Sequence, residues 1–276
     1  MSTDPIILKR DGDIATITLN NPAKRNALSL AGWHWLSETI ESLDKDESLR
    51  CIIIQGAGDK AFAAGADISE FPEKRANAEQ AYVYGLATDK ALEQLLACRH
   101  PVIAMIRGAC TGGGLEIAAC CDMRIASQTA RFGVPIKRIG HAFAPSEMKP
   151  LLDLVGKALV LEFLMEGQVI DATEALRHRL VNRVVDDAKL ETEVKETAAR
   201  IASGAPLAAR MTKKVLNRLM NDPAPISEAE TRESYTPCDS DEITAKVSKL
   251  LSPSVRQSLK EADLTGRRWS SFFIAN

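Results

Sequence analysis

Twice along this chain a run of β-branched apolar residues ends in a loop of residues with almost no side chain. The first run, residues 51–55, leads to Ala61-Phe62-Ala63-Ala64-Gly65-Ala66-Asp67-Ile68. The second, residues 102–107, leads to Gly108-Ala109-Cys110-Thr111-Gly112-Gly113-Gly114-Leu115-Glu116. Continuous apolar runs of this kind are strands buried on both faces, as in a parallel sheet covered by helices. A single glycine loop would be read as a tight turn. Three consecutive glycines leading into a helix are costly in chain entropy, and what repays them is close approach of a ligand to the backbone.

The rest of the chain fits around these two units. Residues 6–9 and 14–20 read as short strands around the turn Asp11-Gly12-Asp13, and Asn21-Pro22 ends the second. Ser29 can cap a helix in which Leu30, Trp33, Leu36, Ile40 and Leu43 form one apolar stripe. Residues 80–98 read as a helix that stops before His100-Pro101, residues 115–121 as a short apolar helix and 123–127 as a strand. Strand, glycine loop, helix and strand again is the order of an α/β fold with mostly parallel pairing. After Val185 the character changes. Residues 189–203, 207–221, 228–235, 241–251 and 255–263 read as helices, punctuated by Pro223, Pro225, Pro237 and Pro253. The expected organisation is an α/β body over residues 1–203 and a helical region with an extended tail over 204–276. Tail helices with little core of their own dock on another subunit, so a homo-oligomer is expected.

Composition excludes several classes. The net charge of -2 comes without a Lys/Arg stripe, which argues against nucleic acid, and Arg177-His178-Arg179 reads as a solvated face. No apolar run approaches a membrane span, and Met1-Ser2-Thr3-Asp4-Pro5 has neither the charged nor the apolar region of a signal peptide. A cytoplasmic protein is expected. The six cysteines include no CxxC pair and histidines are few, so the cysteines read as core residues and no metal site is expected. Residues 108–114 do not give GxGxxG and there is no GK[ST], so dinucleotide and P-loop phosphate binding are disfavoured.

Two small-residue loops at the ends of neighbouring strands could aim two backbone N–H groups at one oxygen, forming an oxyanion hole. The second loop also enters a helix, whose N-terminus favours negative charge. Glu116 lies one turn into that helix, on the same face as Gly113. Its neighbours Leu115, Ile117, Ala118, Ala119 and Cys120 are apolar, and a carboxylate buried among them needs a partner or a purpose.

A set of segments, in order, carries a family resemblance. Asn21-Pro22, Asn26-Ala27-Leu28, Ala63-Ala64-Gly65-Ala66-Asp67, Pro101-Val102-Ile103-Ala104, Gly112-Gly113-Gly114-Leu115-Glu116, Cys121-Asp122-Met123-Arg124-Ile125-Ala126, Phe132-Gly133 and Leu180-Val181-Asn182-Arg183-Val184-Val185 resemble the successive signatures of the crotonase superfamily, the enoyl-CoA hydratase/isomerase family. The match runs from about Ile6 to Leu219. The resemblance implies an α/β spiral of ββα turns with a C-terminal helical trimerisation region, as a trimer or a dimer of trimers. It implies an acyl-CoA thioester as substrate, with coenzyme A part of that substrate and no separate cofactor. Carried over by position, the N–H groups of Ala66 and Gly113 would hold the thioester oxygen. Ala63, Ala64, Asp67, Ile68 and Gly112 would line the CoA groove, with Lys24 or Arg25 near its phosphates. Glu116 would be the acid/base, and Asp122 a structural residue that hydrogen-bonds backbone.

The resemblance fails in two neighbouring segments. Hydratases of the family carry a second glutamate in a Phe-Gly-x-Pro-Glu segment, where this chain reads Phe132-Gly133-Val134-Pro135-Ile136. The next segment, Phe143-Ala144-Pro145-Ser146-Glu147, departs as well. Three readings follow. Glu116 acts alone, as one base that removes and returns a proton in isomerisation, or with a different partner; Glu147 or His141 supplies that partner from a shifted position; or the chain binds acyl-CoA without turning it over. Another crotonase reaction, such as decarboxylation or C–C cleavage, is a weaker alternative. The aromatic and basic residues at 267–273 could reach a neighbouring subunit or close an acyl pocket, though a loosely packed terminus is the simpler reading.

Overall fold

The computed structural model describes residues 4–250; the expected helix at 255–263 and the 252–276 tail lie outside them. The chain divides into two compact units, Met1–Ser203 and Gly204–Asn276.

The first unit is a spiral built on two sheets. Strands β1 (Ile6–Asp11) and β2 (Ile14–Leu19) form an antiparallel hairpin, followed by α1 (Leu30–Asp44). Three turns then repeat one plan. β3 (Cys51–Gly56), β4 (Ala61–Ala63), the single-turn α2 (Phe71–Lys74) and α3 (Ala78–Ala97) form the first. β5 (Val102–Ile106), β6 (Ala109–Thr111) and α4 (Gly113–Cys120) form the second. β7 (Met123–Ser127), β8 (Arg131–Gly133) and α5 (Pro145–Leu161) form the third. The unit closes with β9 (Val169–Asp171), α6 (Ala172–Arg177), β10 (Arg183–Val185) and α7 (Leu190–Ala202).

Each turn gives its first strand to a six-stranded sheet ordered β1-β2-β3-β5-β7-β10 and its second to a four-stranded sheet ordered β4-β6-β8-β9. Only the β1–β2 and β8–β9 pairs are antiparallel. The expected α/β class with mostly parallel pairing therefore holds. The two glycine loops each hold a three-residue strand, β4 and β6, which sequence periodicity did not reveal.

Burial explains the apolar runs. Ile52 and Ile54 of β3 face the main core with Leu36, Ile40, Leu92 and Leu95 of α1 and α3. Cys51 and Ile53 face the other way, against Leu190, Val194 and Ala198 of α7. Covered on both faces, the strand is apolar from Cys51 to Ile54, and its one polar side chain, Gln55, lies at the half-buried end and donates to the Thr18 hydroxyl at 3.0 Å. Each such fully buried aliphatic side chain stabilises the fold by roughly 1.5–3 kcal/mol. α1 starts where Ser29 accepts the N–H of Gly32 at 3.1 Å. Trp33 is 1% exposed and Trp35 45%, so of the two rings that flank His34 only Trp33 belongs to the core. Asp122 accepts the Val102 N–H at 2.7 Å, tying the start of β5 to that of β7. Five cysteines are buried, Cys238 is exposed, and all six are free thiols.

In the second unit α8 (Pro206–Asn221), α9 (Glu228–Ser234) and α10 (Asp241–Leu250) follow one another. α9 begins in a capping box between Ser227 and Glu230. α8 leaves Leu216, Leu219 and Met220 more than half exposed. Among the described residues no helix is long and apolar enough to cross a membrane.

Candidate active site

The two glycine loops meet. Gly65 has a φ of +99°, a conformation that L side chains rarely adopt, and a β-carbon placed on it would lie 2.7 Å from the Gly113 nitrogen. A β-carbon on Gly113 would lie 2.8 Å from the Trp33 ring and 3.3 Å from the Gly65 α-carbon. One on Gly114 would lie 2.2 Å from the Ala63 carbonyl oxygen. The loops pack at distances only residues without a β-carbon permit, with the Trp33 ring behind them.

This packing leaves two donors at the junction. Leu28 bridges to the first loop by donating to Gly65 O and accepting from Asp67 N, both at 2.8 Å, which passes over the N–H of Ala66. Gly113 is the first residue of α4, where a helical N–H has no carbonyl four residues back to pair with. Ala66 and Gly113 both line a cavity of about 250 Å³. Its wall continues through Trp33, Ile68, Phe71, Ile136, Ile139 and Phe143.

Two carboxyls reach the same cavity. Glu116 comes from α4 and is 7% exposed; Glu147 comes from the first turn of α5 and is 6% exposed. α5 packs on α4, and this brings them together. Burial first, and then the charge of Glu147, raise the Glu116 pKa well above its ordinary value, while Arg75 pulls the other way. Burial also raises Glu147, but the Ala144 N–H, donating to its carboxylate at 2.8 Å, and the charge of Arg75 oppose the rise. Two such groups in one low-dielectric space hold a shared proton to higher pH than either would alone.

The other expected site residues fall as follows. His141 lines the cavity, its Nε2 accepting from Arg75; burial and the Arg75 charge keep its pKa below the ordinary value. Ala64, Ile68 and Gly112 line the cavity. Ala63 is wholly buried in β4 and contributes no wall. Asp67 accepts from Lys24 at 2.6 Å and from the Ser69 backbone at 3.1 Å. Burial works against the Asp67 carboxylate, but the hydrogen bonds from Lys24 and Ser69 outweigh it and keep its pKa below the ordinary value. Lys24 is half exposed even so, and Arg25 is exposed in a left-handed turn at φ 53°. Ile136, at the position of the family's second glutamate, lines the cavity and packs against the main core.

Pocket shape is expected from the sequence to depend on the regions 71–84 and 141–151; the structure places Phe71, Arg75 and Phe143 of those regions in the cavity wall, together with Thr88, none of which the sequence singles out as a site residue. Phe71 lies in α2, Arg75 directly after it, Thr88 in α3 and Phe143 ahead of α5, and nothing in their local pattern separates them from surface positions.

A parallel two-sheet spiral, a pair of free N–H donors at the junction of two glycine loops, and buried carboxyls beside them define a crotonase-type enzyme. A sequence profile of the Enoyl-CoA hydratase/isomerase family matches residues 9–248. A short-chain-enoyl-CoA hydratase of Clostridium acetobutylicum is 36% identical over 242 residues, which covers 88% of this chain and 92% of that protein. A crotonyl-CoA hydratase of Syntrophomonas wolfei is 36% identical over 220 residues, 80% of this chain and 84% of that one. The crystal structure of an enoyl-CoA hydratase/carnithine racemase from Magnetospirillum magneticum superposes with a TM-score of 0.88 at 48% identity, over 90% of this chain and 93% of that one. The chain belongs to the enoyl-CoA hydratase/isomerase family and is an enzyme that acts on acyl-CoA thioesters.

Proposed function

We propose that the protein adds water across the C2–C3 double bond of an enoyl-CoA, using Glu116 and Glu147 as its acid–base pair. The observation that carries this reading is that both carboxyls line one cavity with Ala66 and Gly113 although Ile136 stands at the family's second glutamate position. Hydration needs one ionised and one protonated carboxyl. The Ala144 N–H favours the ionised form of Glu147, and the stronger upward shift favours the protonated form of Glu116.

Glu147 takes a proton from water as its oxygen bonds to C3. The electron pair of the double bond moves towards the thioester, whose oxygen gathers charge between the Ala66 and Gly113 N–H groups. Glu116 then delivers its proton to C2, and return of the water-derived proton from Glu147 to Glu116 resets the pair. Each oxyanion donor of this kind contributes about 3–4 kcal/mol in the transition state.

The coenzyme A moiety would run along Ala64, Asp67, Ile68 and Gly112, with Lys24 or Arg25 near its phosphates. Coenzyme A belongs to the substrate, and the proposed proton movements call on no further cofactor. The exposed Leu216, Leu219 and Met220 of α8 support a subunit contact through residues 204–276, in a trimer or a dimer of trimers. The composition fits a cytoplasmic protein.

The test is mass spectrometry of crotonyl-CoA incubated with the purified protein in heavy-oxygen water. Labelled oxygen at C3 is expected, with Glu116→Gln and Glu147→Gln each slowing its incorporation about 100- to 10,000-fold. A bound thioester that takes up no label would overturn hydration. Normal rates in Glu147→Gln would leave Glu116 as the only acid/base.

A further inference from the structure

Arg75 follows α2 and stands in the wall of the cavity. Its guanidinium lies 4.6 Å from the centroid of the Phe71 ring and 4.8 Å from that of Tyr84. One terminal nitrogen donates to Nε2 of His141, while Nε is buried without a hydrogen-bond partner. Among the described residues no carboxylate forms an ion pair with it. The nearby acids are engaged elsewhere: Glu70 accepts from Leu30 N and Lys74, Asp89 from the Ser146 hydroxyl, and Glu147 from Ala144 N.

A guanidinium is a fork of five donors that never loses its charge, and leaving it partly dehydrated and unpaired is costly. If its role were to neutralise Glu116 and Glu147, direct contact with one of them would be expected, and neither contact is made. The surrounding wall of Phe71, Ile136, Ile139 and Phe143 suits methylene groups. A cation held by two rings at the edge of such a wall suits a chain that is apolar along its length and anionic at its end. His141, accepting from Arg75, orients the fork without bringing a negative charge.

We infer that Arg75 recognises a carboxylate on the acyl chain, so that the preferred substrates are CoA thioesters of dicarboxylic acids. Bidentate pairing of carboxylate with guanidinium would supply the missing partner. An uncharged chain of equal length would leave the cation unsatisfied, which is how a polar site rejects an analogue that lacks the matching group. The inference rests on the reading of this cavity as the acyl pocket.

The experiment is titration calorimetry of the full-length protein with glutaryl-CoA and pentanoyl-CoA, five-carbon saturated thioesters that differ in the terminal carboxylate. Neither is an enoyl thioester, so the result does not depend on hydration. Glutaryl-CoA is expected to bind about 10- to 100-fold more tightly, the range of one charge-assisted contact. Arg75→Gln should abolish that ratio and Arg75→Lys restore part of it. Arg138→Gln, which removes an exposed cation from the same cavity wall, should keep the ratio. Tighter or equal binding of pentanoyl-CoA by the wild type, or equal losses for both ligands in Arg75→Gln, would overturn the inference alone. Failure of both thioesters to bind would overturn it together with the acyl-pocket reading.

Discussion

Gly65 and Gly113 touch across two loops that are 48 positions apart in the sequence, and a methyl group on the first would sit 2.7 Å from the nitrogen of the second. That methyl would cover one of the two proposed oxyanion donors. Gly65→Ala is therefore expected to lower kcat about 100- to 1,000-fold, the effect of removing one such donor. The strained φ should also cost about 1–3 kcal/mol of stability. Steady-state kinetics with parallel urea unfolding separates the two effects. Retained kcat in a folded variant would show that Gly113 N–H does not hold the thioester oxygen.

The Glu116–Glu147 pair makes a signed prediction about stability. Both carboxyls have raised pKa values in the folded protein, so the folded state binds more protons than the unfolded chain. Stability then falls as pH rises from the ordinary glutamate value of 4.5 through the raised values. Glu116→Gln removes the more strongly shifted group. The variant should lose less stability than the wild type between the two ends of that window, while losing activity. Unfolding midpoints measured at pH 5 and pH 8 provide the check, and parallel pH dependence in the two proteins would contradict the pair.

Asn26 is a hidden support of the first loop. It is buried at φ 57°, accepts the Asn21 N–H at 3.1 Å, and donates to the carbonyls of Ala57 at 3.0 Å and Ala61 at 2.8 Å. The neighbouring Arg25 carbonyl accepts from Ala64 N at 2.9 Å, so the turn and the loop move together. Asn26→Ala would leave buried groups without partners in a backbone conformation that alanine disfavours. A loss of at least about 2 kcal/mol is expected, with weaker binding of CoA thioesters. A urea midpoint equal to that of the wild type would mean that water replaces all three bonds.

Some of this site was legible in the sequence because its cause is local. The β-branched run at β3, the Ser29 cap and the stripe from Leu30 to Leu43 each report a periodicity within one element. Glu116 stood out because its own helix is otherwise apolar. The four short strands of the second sheet could not be read, since three residues are too few to show alternation. α5 was obscured by Pro145, Pro150 and the non-helical Gly156. Glu147 occupies its first turn, where a glutamate commonly complements a helix N-terminus, and only the packing of α5 on α4 brings it to Glu116. Arg75 and Phe71 belong to the same class, because their meaning depends on segments distant in sequence.

Ile136 gives the sharpest test of how this chain departs from its family. Restoring glutamate there would repair a missing acid if Glu116 worked alone. The structure leads to the opposite expectation. Ile136 lines the cavity and packs on the main core, and the space already holds two buried carboxyls, the charge of Glu147 raising the proton affinity of Glu116. A third would add repulsion, drive Glu147 further towards its neutral form and deprive water of its base. It would also place a polar group against apolar neighbours. Ile136→Glu is therefore expected to lower kcat at least about tenfold and to shift the rising limb of the pH–rate profile to higher pH. If the variant instead gained activity in the wild-type background and tolerated Glu147→Gln, the second acid of this enzyme would be a lost one rather than a relocated one.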